Sequence, residues 1–80
     1  MNLFKHGIGF PEATTVFGDF YELVIPDPVH SESELRSVSI GRSERGLLLV
    51  VAYTERGQQI RIISARPAAP RERRQYESRD

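Results

Sequence analysis

Apolar side chains recur first at helical spacing and then, from Tyr21 onward, at a period of two. Residues 3–6 read as the last turn of a helix, with Lys5 and His6 at the negative end of its dipole and Gly7 ready to take the left-handed cap. A second short helix starts at Pro11, a residue suited to the first helical position. Ala13, Val16 and Phe17 then fall at i, i+3 and i+4 on one face, and Gly18-Asp19 ends it. Residues 21–25 read as a strand stopped by Pro26-Asp27-Pro28, and residues 30–35 as a polar loop.

Three strands are predicted next. In residues 36–42, Val38 and Ile40 share one face with the two terminal arginines while Ser37, Ser39 and Gly41 face away, so one buried face is expected. Residues 47–54 are apolar almost throughout, the mark of a central strand. Residues 59–66 place Ile60 and Ile62 on one face and Arg61, Ile63 and Ala65 on the other. The connections Ser43-Glu44-Arg45-Gly46 and Glu55-Arg56-Gly57-Gln58 each set glycine late in a short polar turn, where a type I turn followed by a bulge needs positive φ. Pro70 opens a last helix over residues 71–77, whose one large apolar side chain is Tyr76. The expected class is α+β: a small antiparallel meander of about four strands, two short N-terminal helices packed on it, and a C-terminal helix.

Composition narrows the picture. Eighty residues make a single domain over residues 1–80 with little stability in reserve. The absence of cysteine excludes disulfides and thiolate zinc sites, and a reducing cytoplasm is the default location. The longest apolar run is far too short to span a bilayer and the N-terminus lacks a signal-peptide layout, so a soluble protein without a membrane partner is expected. Net charge is zero but unevenly spread: residues 1–35 carry Lys5 against six acids, whereas residues 56–80 carry seven arginines against three acids. Such asymmetry suits a polyanion on one face, or a merely solvated C-terminal helix.

Read in order, four pieces match a known pattern: Asn2 with Lys5-His6-Gly7, Ile8 and Phe10; Glu12-Ala13 with Val16-Phe17 and Asp19; Asp27 with His30-Ser31-Glu32 and Arg36; and Ile40-Gly41 with Ser43. Thr54-Glu55-Arg56, the run from Ile60 to Arg66, and Glu72-Arg73 with Tyr76 continue it. Together these pieces resemble the BrnT family of toxins. The resemblance implies a RelE/ParE-like domain, metal-independent cleavage of RNA, inhibition by a ribbon-helix-helix antitoxin, and contact with DNA only through that antitoxin. Family members open with a strand and helix start ahead of the position of Asn2. That first strand is therefore expected to be missing, leaving a sheet edge through which two copies would pair. Ala69-Pro70 also departs from the small hydroxyl and basic residues common there.

Cleaving RNA without a metal or cofactor needs a base for the ribose 2′-OH, balance for the charge on the pentavalent phosphate, and a proton for the leaving oxygen. Arginine suits the second task, and Arg36, Arg61 and Arg66 are the candidates. Arg61 is the most telling because it interrupts an isoleucine run, although its stem could simply cover apolar surface. His6, Lys5, His30 and Glu32 are candidates for proton transfer; His6 could equally serve the helix end and His30 a solvated turn. Tyr53 and Tyr76 are residues for base stacking or for the core. No histidine or carboxylate spacing points to a metal site. The rival to a ribonuclease is a non-catalytic module that keeps an antitoxin-docking surface.

Overall fold

The computed structural model describes residues 3–4, 6–28 and 34–78. Helix α1 (Phe10–Thr15) runs into a 3-10 turn (Val16–Gly18), and strands β1 (Leu23–Pro26), β2 (Leu35–Arg42), β3 (Leu48–Arg56) and β4 (Gln59–Pro67) follow before helix α2 (Pro70–Glu77). The strands form one antiparallel sheet in the order β1-β2-β3-β4, a meander in which each strand pairs with its neighbour in sequence. The chain is thus α+β, as the change of period requires.

Among the described residues, only one α-helix precedes the sheet. The described residues 3–4 and 6–9 form a tight reversal instead of a helix end: Leu3 and Gly9 make an isolated β-bridge, the Phe4 N–H donates to the Ile8 carbonyl at 2.8 Å, and Gly7 takes φ +81°. The glycine has the left-handed conformation expected of it, but in a turn. Burial explains the difference, because the reversal drives Ile8 into the core and sets Phe4 against it, with the Phe4 and Phe10 rings 4.6 Å apart. The α1 stripe is as expected: Ala13 and Val16 are fully buried and Phe17 meets Tyr53 edge to face at 5.0 Å.

Both faces of the sheet are covered, in part. One carries the N-terminal elements over Leu49, Val51 and Ala65; the other packs Ile40, Leu48 and Val50 against Tyr76 of α2. Ser39 and Gly41 of β2 therefore do not face solvent. Ser39 is fully buried, its hydroxyl donating to Glu22 at 2.5 Å, and Gly41 lies so close beneath the 3-10 turn that an added Cβ would stand 2.9 Å from Val16 Cγ1.

The turns differ in kind. Between β2 and β3 the Gly46 N–H closes onto the Ser43 carbonyl at 2.8 Å with Gly46 at φ +81°, as its position predicts. Between β3 and β4 the strands run on until Arg56 pairs with Gln59, leaving a two-residue loop in which Gly57, at φ +61°, comes first. A loop of this length matches the right-handed strand twist when its first residue has positive φ.

Helix α2 starts at Pro70, and its first turn is closed by the Glu72 carboxylate, which accepts the Ala69 N–H at 2.8 Å. The far end is held by Tyr76, whose hydroxyl donates to Asp19 at 2.6 Å while the Arg42 guanidinium lies 5.9 Å from its ring centre. Asp19 also accepts the backbone N–H groups of Arg42 and Tyr21 at 2.8 and 2.9 Å. Burial works to raise the Asp19 pKa, but these three hydrogen bonds and the nearby Arg42 charge outweigh it and hold the carboxyl below its ordinary value.

Candidate functional site

Alternation alone would set Arg61 and Arg66, five positions apart, on opposite faces of β4. A β-bulge reverses this. Ala52 pairs with Ser64 but Tyr53 pairs with Ile62, so Ile63 is the extra residue and the pattern shifts by one between the two arginines. Cross-strand partners point to the same face. Arg36, Thr54 and Arg61 therefore form one row, Val38, Ala52 and Ser64 the next, and Ile40, Val50 and Arg66 a third. The expectation that Arg61 shares a face with Ala65 is corrected by the same bulge: Ala65 joins Ile62 in the core beneath α1.

The three arginines share that face but not their circumstances. Arg66 closes a fork on Glu72, with Nη1 and Nη2 at 2.7 and 2.5 Å from the two carboxylate oxygens. Glu72 is drawn below its ordinary pKa chiefly by that hydrogen bond, and Arg66 is raised by the same contact. Its head group ties β4 to the start of α2. Arg36 lies beside Asp27, Nε to carboxylate 3.8 Å, and the Asp27 N–H donates to the Arg36 carbonyl at 2.8 Å. Arg61 has no carboxylate partner among the described residues. Between Arg36 and Arg61, the Thr54 hydroxyl is buried and has no hydrogen-bond partner among the described residues.

Arg61 lines two open clefts. The smaller, about 310 Å³, also holds Glu34, Thr54, Ile62 and Ile63. The larger, about 560 Å³, holds Glu34 again with Arg56 and Gln59, and is walled by Phe10, Ile60 and Ile62. Both volumes fall in the range of small-ligand sites, roughly 300–1,000 Å³. Glu34 is gripped by Arg56 at 2.8 Å, and its side chain is 24% exposed against 76% for the arginine. The arrangement sets a guanidinium with no carboxylate partner among the described residues and a carboxylate around one opening, a donor and acceptor set suited to a phosphodiester with a neighbouring hydroxyl.

The remaining sequence candidates fare differently. His6 is exposed in the reversal that packs on the α1 side and lines neither cleft at Arg61. Lys5, His30 and Glu32 lie outside the described residues. Tyr53 and Tyr76 are both buried, so of their two readings the core is the one observed. Thr54 and Glu34 were not among the candidates, because a threonine in a strand and one acid among several in a polar loop carry no signal until the sheet places them beside Arg61. Among the described residues, no three His, Asp or Glu side chains converge as a metal site, and no helix is long and apolar enough to cross a membrane.

Residues 1–72 fit the family described as ribonuclease toxin, BrnT, of type II toxin-antitoxin system. No curated protein matches the chain.

Proposed function

The chain belongs to the BrnT family of ribonuclease toxins of type II toxin-antitoxin systems, and from that membership we propose that it is an endoribonuclease acting without a metal ion at the Arg36–Thr54–Arg61 row. The observation that carries this reading is Arg61: charged, without a carboxylate partner among the described residues, and opening onto both clefts. Its planar fork meets two phosphate oxygens at once and stays charged as the phosphorus becomes pentavalent, so charge balance needs no divalent ion. Arg36 faces the same phosphate from across Thr54, and Arg66 acts indirectly by seating α2. The exposed arginines Arg71, Arg73 and Arg74 of α2 extend the basic surface for the RNA strand.

A toxin of this family has a cognate antitoxin as partner and RNA as substrate. The antitoxin is proposed to be of the ribbon-helix-helix kind and to neutralise the toxin, and DNA is met only through it. The RelE/ParE-like assignment belongs to the same proposal.

Cleavage of a single-stranded RNA in the presence of a chelator tests the mechanism. Wild-type protein is expected to cut at full rate and to weaken as salt rises, and Arg61→Ala to lose at least tenfold while its circular dichroism is unchanged. Cleavage abolished by chelator and restored by magnesium would refute the metal-free reading. A variant as active as wild type would return Arg61 to packing alone, and a protein that binds antitoxin but leaves RNA intact would establish the non-catalytic alternative.

A further inference from the structure

Glu34 stands where the two clefts at Arg61 meet, and its only described ion pair is with an arginine that is mostly solvent-exposed. An exposed pair of this kind contributes little to stability, about 0–1 kcal/mol. Stability therefore gives no reason for a carboxylate to be held at the mouth of a site built around an unpartnered arginine. Among the described residues, the charged groups that face Glu34 are Arg56, at 2.8 Å, and Arg61, which shares both clefts with it; Thr54 and Gln59 are neutral polar residues lining the same clefts.

We propose that Glu34 is the proton acceptor of RNA cleavage, with Arg61 receiving the scissile phosphate and Arg56 orienting the carboxylate. The proposal rests on the endoribonuclease reading above. In this step the Glu34 carboxylate takes the proton of the ribose 2′-OH, and the 2′-oxygen forms a bond to phosphorus. The bond from phosphorus to the 5′-oxygen breaks, and that oxygen takes a proton from water. Glu34 then gives its proton to the hydroxide so formed. The products are a 2′,3′-cyclic phosphate and a free 5′-hydroxyl.

Single-turnover cleavage of an RNA oligonucleotide from pH 4 to pH 9, in wild type, Glu34→Gln, Glu34→Asp and Arg61→Ala, tests the assignment, together with binding of the same sequence as uncleavable 2′-O-methyl RNA. Wild type is expected to show a rate that rises with first-order slope on the acid side. Glu34→Gln should lose about a hundredfold or more in rate and lose that acid limb, while binding the 2′-O-methyl strand within about threefold of wild type. Glu34→Asp should keep the limb at a reduced rate, and Arg61→Ala should lose binding as well as rate. Glu34→Gln cleaving at near wild-type rate with the limb intact would overturn the role of Glu34 and leave the endoribonuclease reading standing. RNA left intact by every protein, wild type included, would overturn both.

Discussion

Replacing Tyr76 by phenylalanine removes one oxygen from the joint between α2 and the rest of the molecule and leaves the ring, its burial and the Arg42 guanidinium over it in place. The lost hydrogen bond runs 2.6 Å to a carboxylate. Bonds to charged groups contribute about 1.5–3 kcal/mol, and the low end applies here because Asp19 keeps two backbone donors. For a domain of this size, about 1.5 kcal/mol lowers the midpoint of thermal unfolding by roughly 6–12 °C. The deficit should also depend on pH. Asp19 has a folded-state pKa below its ordinary value of 3.8, so its contribution is complete above that value and is lost as the pH falls through the folded one. Tyr76→Phe removes one cause of that lowering, and its effect should be full at pH 7 and should shrink at pH 3. Thermal denaturation followed by circular dichroism at the two pH values measures this, and a double-mutant cycle with Asp19→Asn isolates the pair, with a coupling of about 1 kcal/mol expected. An unchanged midpoint at pH 7, or an equal deficit at both pH values, would show that Asp19 is not what Tyr76 contributes.

Gly41→Ala should destabilise by about 1–2 kcal/mol in urea unfolding, because the new Cβ meets Val16 Cγ1 at 2.9 Å and the Val16 carbonyl oxygen at 3.3 Å, and that crowding exceeds the roughly 0.4–1 kcal/mol gained from a stiffer unfolded chain; a raised midpoint would refute it. The β4 edge presents half-exposed Ile60 and Ile63, and without antitoxin the protein is expected to pair through it, so that sedimentation equilibrium at micromolar concentration gives a dimer that Ile60→Lys shifts toward monomer. A wild-type protein that is monomeric throughout that range would reject the edge as an interface.

Much of the architecture is local and was therefore legible in the residues. The helix face of Ala13, Val16 and Phe17, the apolar central strand, the positive-φ glycine of the β2–β3 turn and the proline that opens α2 each follow from properties of a few neighbours, and each is present. The first turn was misread because Lys5, His6 and Gly7 suit a helix end and a chain reversal equally well. The burial of Ile8 against α1 decides between them, and that is a contact no local window contains.

The sequence by itself determined which residues carry charge and that the chain folds as a short meander with helices: side-chain chemistry and a period of two or 3.6 need no tertiary partner. It also supplied the ordered pieces by which the BrnT resemblance is read. Only the tertiary structure decided which charges meet. One extra residue, Ile63, turns Arg61 onto the face of Arg36 and Arg66, and strict alternation points the other way. Arg66 and Arg61 are equivalent as letters, yet one is closed on Glu72 and the other, without a carboxylate partner among the described residues, lines a cleft with Glu34. A bulge is set by how two strands twist and pack against what covers them, so its position, and with it the site, exists only once the sheet has formed.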